Sequence, residues 1–335
     1  MNKYLLFILI LTAVSLAACG NQAEDGRSSS KKENQTITIY TTVYPLMDFA
    51  EKIGGEHVEA DTILPPGADS HTFEPDTKQM IEVAEADGFL YSSKEFESYA
   101  GKISDAVEAE EVKILEAAEG INLDSHVHQQ DENAHEDEKK HSEDEHEDEG
   151  EEHDGVDGHE HGDHDPHIWL DPVRSIELAE NIKDFLIDLK PEEKETFEAN
   201  FENLKKELQA LDTAFHDELK AQPNNKIIVS HAAYGYWEQA YGLEQIAVSG
   251  LSPTEEPSQK QLEQIIETAE KNNLKYVLFE QNVTPKIAEV VQKEINGEAL
   301  RLHNLSVLTE EDIENGEDYF SLMNQNLEVL KKALQ

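Results

Sequence analysis

The sequence predicts an α/β protein of two lobes joined by a long helix, and three observations carry that prediction. Short β-branched or apolar runs alternate with amphipathic stretches of helical period, the signature of mostly parallel sheets. A near-30-residue amphipathic stretch without glycine separates two such series. A block made almost wholly of His, Asp, Glu and Gly follows the first series. No short-period repeat is present.

The first strand is expected at 36–43 (TITIYTTV), where β-branched residues alternate. Pro45 then opens a helix with Leu46, Phe49, Ala50 and Ile53 on one face, stopped by Gly54-Gly55. A strand near 58–64 runs into Pro65-Pro66-Gly67, a forced loop. Helices at about 75–84 and 96–107 and strands at 89–91 and 112–115 complete the first series. After the His-rich block come helices at 174–189 and 192–220. The second series has strands at 226–230, 245–248, 275–279 and 300–302, and helices through Trp237, at 258–271, at 285–294 and at 317–334.

At the N-terminus, Lys3 precedes an apolar run over 5–14 that is too short to span a bilayer, so it reads as a secretory signal. Leu16-Ala17-Ala18-Cys19-Gly20 resembles the lipobox of bacterial lipoproteins, with Cys19 as the acylated residue. Cys19 is the sole cysteine, which excludes an internal disulfide. Residues 21–35 are polar and read as a tether. The expected organisation is therefore a signal at 1–18, a lipidated tether at 19–35 and an N-terminal lobe at 36–173. Within that lobe 126–165 is a run that cannot bury a core; a helical linker at 174–224 and a C-terminal lobe at 225–335 follow. A formal charge of −46 repels nucleic acid and concentrates cations, which points to a cationic ligand.

Six histidines lie outside the acidic block: His57, His71, His167, His216, His231 and His303. His71 follows a strand, His231 stands directly after KIIVS, and His167 lies in Asp165-Pro166-His167-Ile168-Trp169-Leu170-Asp171-Pro172. Ligands in open α/β sheets bind beyond the carboxyl ends of strands, and converging imidazoles suit a borderline-soft divalent ion such as zinc. Inside the block, His126, His128, His135, His141, His146, His153, His159, His161 and His164 are interleaved with acids. Neutral imidazoles at that density suit weak, multi-ion zinc binding better than a plain solvated linker.

Several stretches resemble the metal-binding lipoproteins of ABC importers, bacterial solute-binding protein family 9, and especially the zinc-specific branch that includes ZnuA and AdcA. They are Tyr40-Thr41-Thr42-Val43-Tyr44-Pro45, Gly67-Ala68-Asp69-Ser70-His71-Thr72-Phe73-Glu74-Pro75 and Asp165 through Pro172. Ser230-His231-Ala232-Ala233-Tyr234-Gly235-Tyr236, Gly250-Leu251-Ser252-Pro253, Glu256-Pro257-Ser258 and Phe279-Glu280 complete the set. The resemblance implies two Rossmann-like lobes bridged by one rigid helix, with the metal in the cleft and His71, His167 and His231 as ligands. It implies Zn(II) as transported ligand, a membrane permease as partner, and a monomer held by lipid on the extracytoplasmic face of a bacterial cell membrane. Manganese-type relatives carry a carboxylate where His231 stands, so imidazole here favours zinc. At the family's carboxylate position this chain has Ser306, a poor zinc ligand; water, Glu280 or a loop histidine are the open alternatives for the fourth place.

Three other readings compete. A three-histidine zinc could be catalytic, but no HExxH, nucleophile elbow or phosphate loop accompanies it, so no enzyme is expected. Manganese or iron could be the cargo. A metal-scavenging or adhesion lipoprotein would need no permease.

Overall fold

The computed structural model describes residues 36–94, 97–107, 109–123 and 165–335. The expected signal segment, Cys19, the tether and all nine histidines of the acidic block lie outside the described residues. Thr36–Gln335 forms one compact unit. Among the described residues, no helix is long and apolar enough to cross a membrane.

The first lobe contains β1 (Ile37–Thr41), α1 (Tyr44–Gly54), β2 (Val58–Thr62), α2 (Thr77–Ala84), β3 (Gly88–Tyr91), α3 (Ser98–Val107) and β4 (Lys113–Glu116). Its four strands lie in the order β2-β1-β3-β4, all parallel. Ile37, Ile39 and Thr41 alternate inward as the strand period demands. Pro45 opens α1, where its missing N–H removes no helical bond. α1 stops at Gly54-Gly55 for two reasons. Gly55 takes a positive φ of 56°, and a Cβ on Gly54 would collide with the Val58 side chain. Asp76 and Gln79 form a reciprocal capping box that starts α2.

Two helices follow. Asp171 caps α4 (Pro172–Leu189) by accepting from the amides of Val173 and Arg174. α5 (Lys194–Lys220) has 27 residues, about 40 Å of helix. Its buried stripe of Phe197, Phe201, Leu204, Leu208, Leu211, Phe215 and Leu219 recurs at steps of three and four. The long helix begins two residues later than sequence periodicity suggests, because Pro191–Glu193 forms a separate 3₁₀ turn.

The second lobe holds β5 (Lys226–His231), α6 (Gly235–Tyr241), β6 (Glu244–Ser249), α7 (Gln259–Lys271), β7 (Tyr276–Phe279), α8 (Lys286–Glu294) and β8 (Glu298–Arg301). α9 (Glu310–Asn315) and α10 (Tyr319–Ala333) close the chain. Its sheet order, β6-β5-β7-β8, repeats that of the first lobe, again all parallel. One core runs from the inner face of the first sheet through α1, α4 and α5 to the second sheet and α10. Separate clusters bury each sheet's outer face, one under α2 and α3, the other under α7 and α8. Opposite the strand ends the lobes also meet directly. Lys52 of α1 sits 2.9 Å from Asp318 at the start of α10, and Phe49 packs edge-on against Tyr319.

Candidate metal centre

Strand order decides where the centre sits. In the second lobe the chain reverses direction of winding between β5 and β7, the switch point at which open sheets leave a crevice. His231 is the last residue of β5, and Glu280 directly follows β7. Neighbouring strand ends therefore present these two side chains to one another, with Glu280 Oε1 2.7 Å from His231 Nδ1. The two atoms are in close contact but are not aligned as a hydrogen bond.

His167 reaches the same point from the segment before α4. That segment is bonded to the second lobe although it precedes both long helices in sequence. The Trp169 indole donates to the Asn304 carbonyl, the Trp237 indole to the Leu170 carbonyl, and the Tyr319 hydroxyl to the Trp169 carbonyl. Asp165 completes the attachment. Its Oδ1 accepts from the His167 backbone amide at 3.0 Å and lies 2.8 Å from His167 Nδ1; its Oδ2 accepts from the Gly235 amide. The carboxylate partner assigns the imidazole proton to Nδ1 and leaves the Nε2 lone pair facing the cleft. Sequence composition places Asp165 at the end of the solvated acidic run. It is instead buried, recruited by the ring and amides around it.

His71 comes from the first lobe, on the loop between β2 and α2. Asp69 shapes this loop by accepting from the His71 amide and the Thr72 hydroxyl, both at 3.0 Å. The three imidazoles form a near-equilateral triangle, with ring centroids 5.2, 5.4 and 5.6 Å apart. One nitrogen from each lies within 4.8 Å of the others, a spread that a single metal ion can bridge. His167 Nε2 and His231 Nε2 are 3.3 Å apart. Both of those rings are buried and His71 is half-buried, so the centre opens toward solvent on the His71 side.

The remaining expected residues are elsewhere or differently engaged. Among the described residues, the three-histidine group is the one able to hold a metal. His57 pairs with Glu193, His216 stands beside Asp212 on α5, and His303 is held between the Leu305 amide and Asp312. Ser306 is buried, and its hydroxyl donates to Asn304 Oδ1 at 2.9 Å. Glu280 meets the nitrogen of His231 that points away from His167, which makes it a support behind the ring. Sequence reading gave Asp165 no role; an acid two residues before a candidate ligand was the available signal.

Comparison with known proteins decides the family. The model of the family described as "Zinc-uptake complex component A periplasmic" matches residues 39–333. The chain belongs to the ZnuA family. A Bacillus subtilis member, the high-affinity zinc uptake system protein ZnuA, is 31% identical over 98% of this chain and 97% of its own. The zinc-binding lipoprotein AdcA of Streptococcus pneumoniae is 34% identical over 99% of this chain, which spans 61% of that longer relative. Two solved family structures share the architecture. The Zn(II)-bound ZnuA-like domain of pneumococcal AdcA superposes with a TM-score of 0.69 at 32% identity, covering 89% of this chain and 99% of that domain. The laminin-binding protein of Streptococcus agalactiae, described as having adhesin and metal-transporting activity, gives 0.72 at 26% identity, covering 89% and 100%. The ZnuA family is one of binding components of uptake systems, which fits two lobes with histidines converging in the cleft between them.

Proposed function

We propose that the protein captures Zn(II) outside the cytoplasm and delivers it to the permease of an ABC-type importer, and that it is not an enzyme. The observation that carries this reading is the convergence of His71, His167 and His231 from three separate segments. Three imidazoles suit zinc, whereas an oxygen-rich set would suit manganese. Two carboxylates stand behind two of the rings, and a dication offsets their buried charge. Catalysis would need an acid free to act as general base on a zinc-bound water. Asp165 and Glu280, the acids at the centre, each face an imidazole instead. Among the described residues, with Ser306 turned to Asn304, three imidazoles are offered to the metal, and water fills an open fourth place.

Two further parts of the proposal rest on sequence. Cys19 carries the lipid anchor on the outer face of the membrane, and the nine histidines from His126 to His164 gather zinc weakly.

Competition titration against a chelator tests the reading. Zinc should bind tightly at one site and far more weakly at several others, and manganese should not displace it. Manganese outcompeting zinc at the tight site would overturn the assignment of cargo.

A further inference from the structure

The loop that carries His71 is fastened to the opposite lobe at its tip. Pro65–Ala68 is a type II turn: the Ala68 amide donates to the Pro65 carbonyl at 3.0 Å, Pro66 sets the first corner, and Gly67 takes the required positive φ of 73°. Two consecutive residues of this turn bond to the second lobe. The Gly67 amide donates to the Leu308 carbonyl at 2.9 Å, and Asn282 Nδ2 donates to the Ala68 carbonyl at 2.8 Å. His71 follows three residues after Ala68, with the Asp69 bonds stiffening the interval.

The receiving side is a single braced platform. Glu280, Gln281 and Asn282 are consecutive, and each holds a different part of the centre. Glu280 stands on His231, Gln281 bonds to Asn304 and to the Val307 carbonyl, and Asn282 takes the turn. The 302–308 loop that these bonds brace also holds a buried Leu305 at a positive φ of 61°, a strained state for leucine that the bond from its amide to His303 maintains. His167 and His231 are both anchored to this lobe, so the docked turn holds the third imidazole beside the pair.

We propose that Asn282 and the Pro65–Ala68 turn form a clasp that holds the His71 loop against the second lobe and so sets how long a captured zinc ion is retained. Asn282 is then a positioning residue acting through His71, and it touches no metal. This inference rests on the zinc-capture reading above. The clasp forms only when His71 is docked, so its loss shows in dissociation; encounter of zinc with the His167–His231 pair does not depend on it.

The test is stopped-flow measurement of zinc association and of zinc dissociation into excess chelator, on protein loaded with one equivalent. Asn282→Ala and the similarly shaped Asn282→Leu should both release zinc about five- to tenfold faster, the effect of losing one hydrogen bond. Association should stay within about twofold, and the metal-free melting temperature should be unchanged. In a His71→Ala background, Asn282→Ala should add no further acceleration, because there is no third ligand left to retain. Unchanged dissociation in both Asn282 variants, with His231→Ala still weak in binding, would overturn the clasp and leave the zinc site standing. Slower association with a lowered metal-free melting temperature would make Asn282 a structural residue and equally overturn the clasp. Full affinity in His231→Ala would instead strike at the zinc-capture reading beneath it.

Discussion

His167 and His231 differ from His71 in how they are held, and the difference separates binding from release. The first two are buried, are anchored to one lobe, and each has a carboxylate at its Nδ1, Asp165 for one and Glu280 for the other. The third is half-buried, stands on a loop of the other lobe, and reaches the pair through a turn clasped at its tip. A pair already in place avoids the ordering loss that weakens flexible sites, so it binds first and firmly. A ligand on a loop that closes afterwards can leave without disturbing the pair. On the proposed clasp, the centre divides into a pair held on one lobe that gives affinity and a ligand from the other lobe that gives retention.

Substitutions should break this division in a graded order. His231→Ala removes half of the buried pair and should weaken zinc by about 2.5–4 kcal/mol, roughly one ligand's share of the 10–16 kcal/mol of a four-ligand site. Chelator competition reads this directly, and His216→Ala, on the exposed side of α5, should leave the constant unchanged. His71→Ala should weaken zinc less, by about 2–3 kcal/mol, with nearly all the change in the dissociation rate. Equal losses at His71 and His231 would erase the distinction between the pair and the third ligand. Asp165→Asn keeps the shape of the support and removes its charge from His167 Nδ1. Loss of such a partner costs about 10- to 100-fold in metal affinity, and the change should appear without loss of stoichiometry.

Glu97 lies at the start of α3, fully buried, and burial pushes its carboxyl up to about 8, although the amides of Ser92 and Ser93 donate to it. A folded pKa above the unfolded value of 4.5 means the native state holds the proton longer. Its contribution is therefore intact below pH 4.5 and is lost as pH rises toward about 8. Glu97→Gln removes that loss, so its stability relative to the unsubstituted protein should climb across this window by a few kcal/mol at most. Urea unfolding at pH 5 and pH 8 measures it; no change between the two would contradict a buried neutral acid. Tyr99 packs edge-on against Phe73, two residues beyond His71, so zinc binding in the same variant shows whether this support reaches the loop.

The alternation of strands and helices was legible because each element buries one face, and burial writes its period into the sequence. Where burial fades, so did legibility. β8 pairs at Glu298–Arg301 while the apolar residues suggest 300–302; its register is set by β7 across the ladder, and its own side chains are mostly exposed. α9 is absent from the periodic pattern because it is six residues long with no buried residue and is held by a Thr309–Asp312 capping box. At the centre, His71, His167 and His231 stood out by following strands or lying in a recognisable motif. Asp165 and Asn282 did not, since each acts across a gap of chain that folding closes: Asp165 reaches Gly235, and Asn282 reaches Ala68. Glu280 was visible as a candidate ligand, but the side of the ring it meets depends on which strand lies beside β5.

Anomalous diffraction at the zinc edge, from crystals of protein loaded with one equivalent, tests the three-histidine centre most directly. One strong peak is expected in the cleft, about 2.0–2.1 Å from a ring nitrogen of each of His71, His167 and His231, with Asp165 and Glu280 behind the rings. A peak coordinated by Glu280 in place of any of the three imidazoles, or a peak lying outside the cleft, would contradict a three-histidine centre.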